Sequence, residues 1–105
     1  MLVDMFKLRQ AVINKRIEWR KHTLLRLVER QISQKDIVSI LLTGEVIRDY
    51  VDDRPFPSVL VFGWIASRPI HVVASYDDAE DKAYIITVYE PSLDVFEPDF
   101  KTRRS

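Results

Sequence analysis

Apolar positions recur at helical spacing up to Thr43 and alternate from Glu45 onward. Met5, Leu8 and Val12 predict a first helix over about residues 5–14, with Asp4 suited to cap it. RIEW, residues 16–19, interrupts the pattern and reads as a connector or a very short strand. A second helix is expected over about residues 20–31. At about 100° per residue, Leu24, Leu25, Leu27, Val28 and Ile32 cluster on one side of it, and His22, Arg26, Glu29 and Arg30 share the other. SQKD then opens a third helix, with Ser33 as N-cap and Asp36 three positions on. Ile37, Val38, Ile40, Leu41 and Leu42 predict that this helix is heavily buried, and Gly44 suits a left-handed residue closing it.

Beyond Gly44 the period is that of strands. EVIRDYV reads as one strand and DDRPFP as a turn held by two prolines. SVLVFGWI, PIHVVASY and KAYIITVYEP are three further β-branched and aromatic segments, joined by SRP and DDAEDK, which are short enough for hairpins. Helices followed by four successive strands predict an α+β domain, with N-terminal helices packed on one face of a four-stranded antiparallel β-meander. The tail SLDVFEPDFKTRRS carries two Phe anchors and is expected to drape back over the sheet before a basic cluster, Lys101, Arg103 and Arg104.

A chain of 105 residues without repeats or a Gly/Ser-rich linker suggests a single domain over residues 1–105. The absence of cysteine excludes disulfides, thiolate zinc sites and thiol nucleophiles. With no long apolar run and a charged N-terminus, a cytoplasmic protein with no membrane contact is the expectation. The net charge of zero conceals an asymmetry: residues 1–48 hold ten Lys/Arg against five Asp/Glu, and residues 49–105 hold six against eleven. Such a chain can steer a polyanion to one end, although the halves can equally neutralise each other once folded together.

Candidate chemistry is confined to a few places. The helical stripe His22, Arg26, Glu29 and Arg30 is either a solvated face with an Arg–Glu pair or a set in which arginines favour a neutral, proton-accepting imidazole. His71 shares a strand face with Val73 and Ser75, and its plainer reading is a core imidazole bonded to a carbonyl. Thr87 or Tyr89 lies across from that face only if the hairpin register allows it. YDDAED lacks the spaced ligands and turn glycine of a calcium loop, and two distant histidines make no zinc site. No metal or cofactor is expected.

Several segments together resemble a bacterial family known as a domain of unknown function, DUF4258. In the first half these are His22-x-x-x-Arg26-x-x-Glu29-Arg30, Ile32-Ser33, and Gly44-Glu45-Val46-Ile47 with Tyr50. In the second half they are Pro69-Ile70-His71-Val72-Val73, Ile86-Thr87-Val88-Tyr89-x-Pro91, and Phe96-Glu97-x-Asp99-Phe100-Lys101-Thr102-Arg103-Arg104. The likeness spans roughly residues 15–104. Arg20 and Lys21 stand where that family usually has a small capping residue, Gln31 where a glycine is frequent, and Phe96 where a tryptophan is frequent. The resemblance implies a distant similarity to MqsR- and RelE-like toxins, which are metal-independent ribonucleases, and a small zinc-finger antitoxin as partner.

Two functions follow as expectations. One is an RNA-cleaving toxin domain, with His22 or His71 as base or acid, Tyr89 as a donor, and Arg26, Arg30 and Arg103 stabilising the phosphorane, with Glu29 in the same stripe and Lys101 and Arg104 binding RNA. The other is a non-catalytic RNA- or protein-binding module of the same fold. DNA contact is expected for neither. The helical stripe is a site only if His71, Tyr89 or the Arg103–Arg104 tail folds onto it.

Overall fold

A computed structural model describes residues 2–105. The element order is α1 (Met5–Ile13), β1 (Ile17–Trp19), α2 (Lys21–Glu29), α3 (Gln34–Thr43), β2 (Glu45–Tyr50), β3 (Ser58–Ile65), β4 (Arg68–Asp77) and β5 (Lys82–Tyr89). The caps match the sequence reading: Asp4 accepts from the Lys7 amide at 3.1 Å, and Ser33 from the Asp36 amide at 3.0 Å.

The sheet has five strands rather than four, in the order β1-β5-β4-β3-β2. The meander β2 to β5 is antiparallel as expected, but RIEW supplies an edge strand running parallel to β5, with Ile17 opposite Ala83 and Trp19 opposite Ile85. Three residues are too few for a periodicity to show in sequence, and the pairing is set by the helices that carry β1 to the sheet edge.

The helices lie on one face. Leu8, Val12, Leu27, Ile37 and Leu41 pack there against Val59, Val61, Ile70, Val72, Ala74 and Ile85. β4 is central and buried on both faces, from Pro69 to Asp77. Arg9 joins α1 to α3 by donating to the Leu41 and Gly44 carbonyls, each at 2.9 Å, which satisfies acceptors that α3 leaves open at its end.

α2 sits differently on its axis from the predicted orientation. Thr23 and Leu27 are its buried residues, while Leu25 and Val28 are 56% and 77% exposed. The cause lies at the edge of β5. β1 covers only Ala83–Ile85, and the Arg30 guanidinium takes the uncovered Val88 carbonyl at 2.6 Å. Drawing Arg30 to the sheet puts positions 23, 27 and 30 underneath. The Thr23 hydroxyl is left fully buried without a hydrogen-bond partner among the described residues.

The two glycines and the left-handed backbone positions do not coincide. Gly44 is extended, with φ −75° and ψ 171°, and not left-handed as expected. A Cβ there would lie 2.5 Å from the Ile40 carbonyl and 2.7 Å from that of Phe62, so what glycine supplies is space. Left-handed backbone falls instead on Lys15, Gln31, Ala66, Asp81 and Phe100. Lys15 and Gln31 close α1 and α2 in Schellman motifs, in which Arg16 bonds back to Ala11 and Ile32 to Leu27.

Gln31→Gly is expected to stabilise the fold by about 1 kcal/mol, because the φ of 55° there is strained for any residue with a Cβ. Gly44→Ala is expected to destabilise it by about 2 kcal/mol through overpacking. Urea unfolding of the two variants checks both signs.

Candidate functional site

Strand alternation alone would put Val46, Arg48 and Tyr50 on one face, and Ala83, Ile85, Thr87 and Tyr89 on one face. Two β-bulges break both sets. In β2 the register shifts between Val46 and Arg48, so Val46 opposes core Val61 while Arg48 opposes Leu60 and Tyr50 opposes Ser58. In β5 the shift leaves Ile85 opposite Ala74 but Thr87 opposite Val73 and Tyr89 opposite His71. Each bulge turns the distal part of its strand over. The sheet face away from the helices therefore gathers Arg48, Tyr50, His71, Thr87 and Tyr89.

His71 is fully buried on that face. Its Nε2 lies 2.7 Å from the Phe100 carbonyl, which can only accept, so Nε2 carries the proton. Nδ1 is then the acceptor for the Tyr89 hydroxyl, 3.1 Å away. This is the carbonyl-bonded imidazole of the plainer reading. Three rings surround it edge-on, with centroids at 5.6 Å for Phe62, 5.2 Å for Tyr89 and 4.8 Å for Phe96. Burial pushes the His71 pKa below the ordinary 6.5; the Phe100 bond opposes this and the Arg48 charge adds to it. Burial, then Tyr50, pushes the Tyr89 hydroxyl above 10.0 against the pull of Arg103 and Arg48. At neutral pH both groups are uncharged, and cations stand close enough to act on both.

The tail covers this cluster, as its two Phe anchors suggested. Phe96 is buried, Phe100 packs edge-on against Trp64 at 5.9 Å, and Phe96 bridges to Arg103, whose guanidinium lies 5.7 Å over the Phe96 ring. Asp99 shapes the turn by accepting from the Thr102 and Lys101 amides, each at 2.9 Å, and from the Thr102 hydroxyl. Those bonds hold its carboxyl down at about 2.

The structure thus divides the residues singled out from sequence. His71, Tyr89 and Arg103 come together on the helix-free face. His22, Arg26 and Glu29 stay exposed on α2, whose buried side packs on the opposite face, so the two imidazoles do not share a hollow. Arg30 is occupied by the Val88 carbonyl. Lys101 pairs with Glu45 at 3.3 Å, and Arg104 with Glu97 at 3.2 Å and the Leu93 carbonyl at 2.6 Å. Arg48 did not emerge from the sequence, nor did a role for Tyr50; EVIRDYV gives their spacing, but the bulge that aims them has no local signature. Among the described residues no group of three His, Asp or Glu is arranged to hold a metal, and no helix is long and apolar enough to cross a membrane.

A family model described as a domain of unknown function (DUF4258) matches residues 19–90, and the chain belongs to that family. The match takes in α2 and the whole meander and ends just before the tail. No curated protein and no solved structure matches the chain.

The His71 environment predicts a pH dependence. With a folded pKa below 6.5, the unfolded chain binds a proton that the folded one refuses, so this contribution is complete above pH 6.5 and is lost as pH falls through the folded value. Urea midpoints should decline from pH 7 toward pH 5, and the His71 imidazole should titrate below 6.5 by NMR. Asp99 acts in a separate window, between its ordinary 3.8 and about 2. A His71 midpoint at or above 6.5 would contradict the assignment.

Proposed function

We propose that this member of the family is a metal-independent RNA-cleaving domain of the toxin type, distantly RelE- or MqsR-like in fold, whose chemistry runs on the helix-free face. One observation carries the reading: the Tyr89 hydroxyl donates to the free nitrogen of a neutral, buried imidazole while the charges of Arg48 and Arg103 act on that same hydroxyl. Cleavage of RNA without a metal needs a proton acceptor for the 2′-hydroxyl, a donor for the departing 5′-oxygen and cations for the phosphorane. Tyr89 takes the 2′-proton as its own passes to His71 Nδ1. The 2′-oxygen attacks phosphorus, the bond to the 5′-oxygen breaks, and Tyr50 protonates that oxygen. The products are a 2′,3′-cyclic phosphate and a 5′-hydroxyl, and proton exchange with water resets the site by taking the extra proton from His71 and returning one to Tyr50. Phe100 stabilises the transient imidazolium by keeping its bond to Nε2, and Arg48 and Arg103 hold the phosphate. A small zinc-finger antitoxin is the expected partner, on the family resemblance.

The same contacts favour a second reading. Both nitrogens of His71 are already bonded within the protein, as in a purely structural clamp, which suits a non-catalytic RNA- or protein-binding module.

Tyr89→Phe separates the two. In the presence of EDTA the wild-type chain is expected to cleave single-stranded RNA to cyclic-phosphate ends, and the variant to be slower by at least about 100-fold. Its stability should fall by about 1–3 kcal/mol, the consequence of leaving Nδ1 without a partner. A wild-type chain inert toward RNA, or a variant as active as its parent, rejects the nuclease.

A further inference from the structure

A second feature lies on the same face, four residues along β3 and β4 from His71. There Ser58, Ser75 and Tyr84 oppose one another across three strands, as Phe62, His71 and Tyr89 do at the other end. At about 3.3 Å per residue the two places are roughly 13 Å apart. The β2–β3 loop and Arg20, the N-cap residue of α2, close the place around Ser75 into a hollow of about 260 Å³, lined by Arg20, Arg54, Asp53, Phe56, Ser75 and Tyr84 among others. That lies below the roughly 300–1,000 Å³ of sites for drug-sized ligands, and suits a single ring system.

Several of its lining groups have no partner among the described residues. Phe56 and Tyr84 lie nearly parallel, centroids 6.1 Å apart and planes 14° apart, and both are only half-buried. Arg20 and Arg54 are exposed and neither forms an ion pair among the described residues. Ser75 is 4% exposed, lines the hollow, and its hydroxyl enters none of the side-chain hydrogen bonds among the described residues. Asp53 accepts from the Ser58 hydroxyl through one carboxylate oxygen, which leaves the other for a ligand.

The start of α2 adds an electrostatic imbalance. Its N-cap is Arg20, which makes no capping bond, and its first turn carries Lys21 and His22 and no acid. The positive end of a helix normally attracts Asp or Glu; the Arg20 and Lys21 charges there repel it and each other, and a bound anion would relieve both.

We propose that this hollow seats one nucleotide of the RNA, with its base against Tyr84 and Phe56 and its phosphate between Arg20, Arg54 and the first turn of α2. The inference rests on the RNA reading above and deepens it. Asp53 offers an acceptor and no donor, so the seat favours adenine and cytosine, which present an exocyclic amino group, over uracil, which presents a carbonyl at the equivalent position and has only its ring N3–H to donate. This also gives the basic, uncapped start of α2 a task.

The test is binding of fluorescein-labelled 12-mer oligo-A, oligo-C and oligo-U to the Tyr89→Phe protein, which keeps the RNA intact. Oligo-A and oligo-C should bind more tightly than oligo-U, with the gap narrowed by Asp53→Asn. Tyr84→Leu should weaken binding about tenfold. Arg20→Gln and Arg54→Gln should weaken it equally for every base, each lowering the slope of log affinity against log salt by about 0.7. Arg20 is exposed, so its variant reports even if Tyr84→Leu disturbs packing. Equal affinity for oligo-U and oligo-A, or an Arg20→Gln variant with unchanged affinity and salt slope, overturns the seat. If these variants behave as expected but wild-type protein leaves RNA whole, the cleavage reading falls and the seat stands; if Tyr89→Phe stops cleavage while they bind normally, the seat alone falls.

Discussion

A sheet buried on both sides needs two covers, and this chain has helices for only one. The other cover is the tail, pinned at its centre by the bond between the His71 imidazole and the Phe100 carbonyl, with Phe100 against Trp64 and Lys101 paired to Glu45 beside it. Around that bond Phe96 packs edge-on against the imidazole, and Arg103 bridges back to Phe96. A polar group placed inside a sheet face is expensive unless every lone pair and proton is answered, and here both nitrogens are. The same saturation leaves the imidazole uncharged, with the Tyr89 hydroxyl directed at its one free lone pair.

The polar face itself is a product of register. Arg48 and Tyr50 reach it because β2 slips by one residue, and Thr87 and Tyr89 because β5 does. Regular strands would send these side chains toward the helices, where a guanidinium and two phenols would have to be buried in an aliphatic core. The bulges sit in the first and fourth strands of the meander, on either side of the unbroken β3–β4 pair, so the centre of the sheet holds His71 while its flanks supply the cations and phenols.

Much of the architecture was legible in the residues. Asp4 and Ser33 announced helix starts, the change of period at Gly44 separated helices from strands, and the two Phe of the tail marked its return to the sheet. What was hidden involves partners distant in the chain. β1 is too short to show a period and exists because β5 offers an edge. The rotation of α2 follows from Arg30 meeting an unpaired carbonyl 58 residues further on. Left-handed backbone could not be located from glycines, because the Schellman ends of α1 and α2 are imposed by packing on Lys15 and Gln31. In the candidate site, His71 and Tyr89 were visible as residue types, whereas the irregularities that bring Arg48 and Tyr50 to them were not.

The parallel pairing of β1 with β5 has a kinetic consequence. Ile17 waits for Ala83, and α1 and α2 both rest on β5, so the first third of the chain has no complete surface to settle on until the last strand has been synthesised. Closing so long a loop is slow compared with forming the β3–β4 hairpin. On the ribosome the meander should therefore assemble early from its hairpins, and the N-terminal segment should dock last, which keeps the domain from completing its fold before nearly all of it has emerged.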